Sequence, residues 1–161
     1  MDWNSYFTYD PETGRLFWAL DIGRAKKGQE AGTITKWGYR DVKLNHKKYK
    51  AHRIIWDMKN PCDKLLGREQ IDHINHDKLD NRLVNLRKVS ALTNQRNMPL
   101  GQANTTGAIG VYRAGKGWRA MIMVKRVQIY LGCFNTFTEA LSARKDAEIK
   151  YGFHENHGKA K

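Results

Sequence analysis

The sequence predicts an α+β fold in three parts: an N-terminal small antiparallel sheet plus a helix, a central strand–loop–strand–helix segment, and a C-terminal three-stranded antiparallel sheet packed on one helix. Three observations carry this. Short apolar and aromatic runs are separated by turn pairs such as Asn45-His46 and Lys125-Arg126, which is hairpin grammar. A helix from about Ala51 is closed by Pro61. A second helix opens on Thr136 and Glu139, spaced as a capping box.

The elements follow in order. "FTYDPETGRLFW" places two apolar-aromatic runs around Asp10-Pro11 and Thr13-Gly14, a first hairpin. "GYRDVKLNHKKYKAHRIIWDM" gives a second hairpin and then the helix. "EQIDHI" and "NLRKV" read as short strands, and "NHDKLDNRLV" between them is too polar for a regular element. Ser90 can cap a helix running through Asn97, and Pro99 ends it. "MPLGQANTTG" reads as a linker. "GVYRA", "GWRAMIMVK" and "QIYLGCF" are three strands, and the following helix places Ala140, Ala143, Ala147 and Tyr151 on one face until Gly152. The expected divisions are 1–66, 67–98, a linker at 99–107, a module at 108–153 and a frayed tail at 154–161.

The chain has 161 residues, 40% of them hydrophobic, which allows a packed core. No apolar run approaches the roughly 20 residues of a membrane helix. The first residues lack a basic n-region, so no signal peptide is expected. Cys62 and Cys133 form no C-x-x-C pair, which argues against a thiolate zinc site and a disulfide framework. A cytoplasmic location is the expectation.

Net charge is +13, from 29 Lys plus Arg against 16 Asp plus Glu, and the simplest partner for it is a polyanion. The charge is concentrated in two flanks. Lys36, Arg40, Lys43, Lys47, Lys48, Lys50 and Arg53 face one acid, Asp41, and five basic residues between Gly101 and Thr138 face none. Gly67 to Leu100 holds six basic and four acidic residues. Basic flanks around a segment that keeps its carboxylates suit phosphates outside and a cation inside.

"EQIDHINHDKLDNRLVNLRKVSALTNQRN" concentrates Asp, His and Asn, which are poor helix and strand formers. Asp72 offers a carboxylate, and Asn94, 22 residues on, an amide oxygen. Such hard donors with open positions for water suit Mg²⁺ or Mn²⁺. His73 can deprotonate water near neutral pH, and Asn85 can orient its ring. Arg82 or Arg87 can clamp a phosphate.

The residues "IDHIN…DNRLVNLR…TNQRN" resemble the HNH nuclease motif of phage and mobile-intron homing endonucleases. The Asp-His doublet, the "DNR…NLR" core, an Asn 12 residues after the His and another nine further on carry the resemblance. It implies a β-β-α-metal finger, with His73 as general base, Asp72 and Asn94 as metal ligands and Asn85 orienting His73. Asn94 stands where the letters H-N-H have a His. "YKAHRIIWDM" is similar to the stretch that precedes the motif in phage members.

Residues 109–152 resemble the APETALA2/ethylene-response-factor DNA-binding domain, through Gly110-Val111-Tyr112-Arg113, Trp118-Arg119-Ala120 and Leu131-Gly132. That family reads DNA with its sheet, which makes Arg113, Lys116, Trp118, Arg119, Lys125, Arg126 and Tyr130 candidate DNA contacts. Core packing is an equal reading for Trp118. The whole points to a monomeric, metal-dependent endonuclease that nicks double-stranded DNA at selected sites. Its rivals are a DNA-binding regulator with an inactive HNH segment and an RNA-binding protein.

Overall fold

A computed structural model describes residues 1–63, 65 and 69–159, with Leu92 and Gln95 described by backbone alone. The division expected between residues 66 and 67 lies outside the described residues. Mixed α+β structure is observed, with several small antiparallel sheets. The chain forms two compact units, Met1–Ala91 and Leu92–Lys161.

In the first unit, β1 (Phe7–Asp10) pairs with β2 (Arg15–Trp18) as a separate hairpin. The second sheet has three strands: β3 (Thr33–Ile34), β4 (Arg40–Leu44) and β5 (Lys47–Lys50). The turn between β4 and β5 uses Asn45 and His46 at φ 49° and 62°, the successive positive values that a tight two-residue hairpin requires. Strand β3 is too short, and too exposed on both residues, to leave a period-2 pattern.

Helix α1 (Ala51–Lys59) buries Ala51, Ile54, Ile55 and Met58, the i, i+3, i+4, i+7 spacing of one helical face. It stops at Asn60, directly before Pro61. The face joins Phe7, Leu16, Trp18, Val42, Leu44, Ile71 and Leu86 in one apolar cluster. The last two come from β6 (Gln70–His73) and β7 (Leu86–Val89), an antiparallel pair in which Asp72 lies opposite Arg87 and His73 opposite Leu86. The candidate site is thus carried on strands whose apolar side is rooted in this core.

The second unit begins within α2 (Ala91–Gln95), which ends two residues before the expected Asn97. β8 (Val111–Ala114), β9 (Gly117–Val124) and β10 (Val127–Phe134) form the three-stranded sheet. Thr136 and Glu139 cap α3 (Phe137–Lys150) reciprocally. The helix buries Ala140 and Ala147 as expected, together with Arg144 and Glu148. Arg144 is 2% exposed, pairs with Glu148 at 3.2 Å and donates to the Met121 carbonyl, so the charge is compensated where it lies.

Two expectations change in this unit. The 154–161 tail is not frayed over its described part, because the His154 amide donates to the Arg96 carbonyl and the Gly158 amide to Met98. The Leu100 amide in turn donates to the Lys159 carbonyl, so the stretch expected as a linker is tied down at its start.

Candidate active site

Asp72 and His73 close strand β6 and are 8% and 5% exposed. Adjacent strand residues point to opposite faces, and the chain turns immediately afterwards, at Ile74 to His76, the last with φ 67°. The Asp72 carboxylate receives Nε and Nη2 of Arg87 on Oδ2, at 3.0 and 2.8 Å. Arg87, one of the two expected phosphate clamps, is therefore held by a carboxylate in this chain. The other, Arg82, forms a two-pronged pair with Asp80, at 2.7 Å through both Nε and Nη2.

The His73 ring is fixed by contacts that the sequence reading did not assign. Its Nε2 lies 3.0 Å from Oδ1 of Asn81, which is 3% exposed. Asn85, expected to orient the ring, instead accepts the Asn75 amide on Oδ1 and donates to the Asp80 carbonyl from Nδ2. It thereby pins both ends of the loop that carries Asn81, because an irregular loop has no ladder to hold it. His52, on α1, meets His73 edge to face at 4.9 Å, and Tyr39 lies 5.5 Å from His52 and 6.1 Å from His73. Asn81 could be found in the sequence as the middle letter of "DNR", and His52 as a polar residue on the buried stretch of α1.

Burial lowers the pKa of both imidazoles, because a low-dielectric surrounding disfavours the charged ring. His73 falls below its usual value, chiefly through burial and against the pull of Asn81. His52 falls to about 3, with burial first and the neighbouring His73 second. Both rings are neutral at neutral pH, the form a general base needs.

Asn94 lies half-buried on α2, within the second unit. Among the described residues no three His, Cys, Asp or Glu side chains group as a metal cluster. Carboxylate and amide oxygens at Asp72 and Asn94 match the hard donors that Mg²⁺ or Mn²⁺ accepts.

The expected DNA contacts divide. Lys43 and Lys48 are exposed and lie directly opposite each other across β4 and β5, and Lys47, opposite Leu44 in the register, is also exposed. Like charges placed so are destabilising, which suits a surface that meets an anion. Lys36 is exposed and stacks over Trp37 at 5.0 Å, while Arg53 reaches the Glu69 carbonyl at 3.5 Å. Two more of these residues carry acid partners. Arg40 donates to the Gly32 carbonyl and pairs with Glu30 at 3.0 Å, so it braces the sheet. Lys50 pairs with Asp41 at 2.7 Å.

In the second unit, Arg119, Lys116, Lys125, Arg126 and Tyr130 are exposed. Trp118 packs on Phe137, with ring centroids 4.9 Å apart, and Arg113 stacks over it at 4.8 Å. Trp118 is thus a packing residue against α3, and Arg113 covers it.

Residues 49–96 match the model of the HNH endonuclease family, described as "HNH endonuclease". The chain is also similar to a solved structure described as "DNA binding and cleavage by the HNH homing endonuclease I-HmuI". Identity is 17%, with 95% of this chain and 90% of that chain covered at a TM-score of 0.43. No curated protein matches the chain.

Proposed function

We propose that this chain, a DNA-cleaving hydrolase by its HNH endonuclease domain at residues 49–96, is a metal-dependent, homing-type enzyme that nicks double-stranded DNA as a monomer. The observation that carries the catalytic part is a buried Asp72-His73 pair whose imidazole is kept neutral by burial and is held at Nε2 by Asn81.

The amide oxygen Oδ1 of Asn81 accepts and cannot donate, so the proton of a neutral His73 sits on Nε2 and the lone pair on Nδ1. Nδ1 is then the atom that takes the proton from the attacking water. Asp72 and Asn94 are the proposed ligands of Mg²⁺ or Mn²⁺, Asn94 on the strength of its motif spacing. A divalent ion at such a site supplies positive charge that stabilises the phosphodiester as negative charge builds on it. Arg87 and Arg82 can exchange their carboxylate partners for an arriving phosphate, since guanidinium binds either bidentately. Asn85 keeps the loop closed throughout.

DNA affinity comes from outside the finger. The exposed Lys43–Lys48 pair, with Lys47 at the adjoining turn, holds backbone phosphates, and the Arg119 and Tyr130 side of the C-terminal sheet, with its Lys125-Arg126 turn, sets the site. One Asp-His pair cuts one strand per encounter. Incubation of the full chain with plasmid or phage DNA plus Mg²⁺ or Mn²⁺, with strand breaks mapped on a denaturing gel, tests the proposal. Breaks confined to one strand of a preferred site support it, and intact DNA with either metal refutes it.

A further inference from the structure

We propose that the N-terminal hairpin β1–β2 is a positioning element for the reaction: Tyr9 and Gly14 fix the backbone around Asn81, and through the Asn81 side chain they fix the His73 ring. This rests on His73 acting as the base and extends the site by two residues more than 55 positions away in sequence.

Three contacts make the chain of support. The Tyr9 hydroxyl donates to the Asn81 carbonyl at 3.4 Å and accepts the Leu83 amide at 3.2 Å, so one oxygen brackets residues 81 to 83. Gly14, at φ 71°, lies backbone to backbone on the same stretch. A Cβ there would stand 2.6 Å from the Arg82 nitrogen and 2.8 Å from the Asn81 carbonyl carbon, where no side chain fits. The Asn81 side chain completes the relay at 3.0 Å from His73 Nε2.

The hairpin is built to be stiff at this point. Asp10 accepts the Thr13 hydroxyl and the Glu12 amide on its carboxylate, and the Gly14 amide on its carbonyl. Phe7, Leu16 and Trp18 root the strands in the core. The loop from Asn75 to Arg82 has neither ladder nor core of its own. A wall supplied by rigid strands is what holds a buried amide to the tolerance that proton transfer needs.

The test uses the full chain as wild type, Tyr9→Phe, Gly14→Ala, Asn81→Ala and Asn81→Asp. Three quantities are read: kcat at saturating duplex, Kd for duplex in EDTA, and the ¹⁵N–¹H signals of the His73 ring in metal-free protein at neutral pH. Tyr9→Phe removes one oxygen and keeps the packed ring, so the fold persists even if Gly14→Ala does not fold. Tyr9→Phe should lower kcat about 3- to 10-fold with Kd unchanged. It should also move the His73 ring from the Nε2–H tautomer toward a mixture. Asn81→Ala should lose at least as much, and Asn81→Asp, which keeps the acceptor, should recover most of it. Wild-type kcat and unchanged ring signals in Tyr9→Phe would overturn the proposal, as would a loss confined to Kd. If wild type cuts no DNA yet the ring signals move as described, positioning stands and the nuclease reading fails.

Discussion

His52 and His73 come from α1 and β6 and meet with their ring planes at 86° and their centroids 4.9 Å apart. Two imidazoles this close and this buried cannot both charge without cost, and each disfavours protonation of the other. Burial first, and for His52 the neighbouring His73 second, tie the acid limb of stability to this site.

The folded pKa of His52 is about 3, against an unperturbed 6.5, so between these values the unfolded chain binds the extra proton. Stability therefore rises with pH through this window and is lost as pH falls from 6.5 toward 3. One proton gives a slope of at most about 1.4 kcal/mol per pH unit. His73, lowered in the same direction, adds to it. Denaturant unfolding followed at Trp fluorescence should show this slope for wild type and a shallower one for His52→Phe. An equal slope in both would contradict the assignment.

His73→Ala should abolish cleavage and leave DNA affinity almost intact, because the role proposed for the ring lies in the chemical step. General bases typically contribute about 10²- to 10⁴-fold. Gel-shift affinity beside single-turnover rates separates the two effects. A His73→Ala protein that cuts at the wild-type rate removes the base assignment.

Affinity for any duplex should fall steeply with salt. Arg40 and Lys50 pair with Glu30 and Asp41, while Lys43, Lys47, Lys48 and Arg126 are exposed and are the first candidates for phosphate contact. Five phosphate contacts would give a slope of about −4.5 in log K against log salt. A slope near −1 would mean that the charge is solvated surface.

Legibility in the sequence followed the physics of each element. The β4–β5 and β9–β10 hairpins, α1 and α3 were readable because their turns, face periodicity and capping box are local signals. The Asp72-His73 pair was readable for the same reason, since strand end and loop are adjacent in sequence. Asn81, His52 and Tyr39 were missed as neighbours of His73 because they arrive from separate elements, and their roles depend on tertiary placement. The acid partners of Arg40 and Lys50 were not legible because charge counts carry no record of which carboxylate a folded chain brings alongside. Trp118 was left between core and DNA, and its edge-to-face packing on Phe137 places it against α3.

The Lys125-Arg126 turn holds both residues at positive φ, 50° and 68°, where L side chains are disfavoured. The two-residue β9–β10 hairpin requires these values, as at Asn45-His46, and it leaves both basic side chains exposed for an anion to meet. Arg126→Gly should stabilise the protein by about 0.5–1 kcal/mol while weakening DNA binding and reducing the salt slope by about 1. Thermal unfolding and duplex titration check the two halves. A variant that is more stable and binds DNA as well as wild type would show that the turn does not touch DNA.

The central claim is that one Asp72-His73 site per monomer hydrolyses DNA one strand at a time. Its most direct test is a time course on supercoiled plasmid at low enzyme concentration with Mg²⁺ or Mn²⁺, run beside His73→Ala and an EDTA control. Open circle should accumulate first with linear product lagging, and both controls should leave the plasmid supercoiled. Linear product appearing together with open circle from the earliest points, or cleavage that persists in either control, would contradict it.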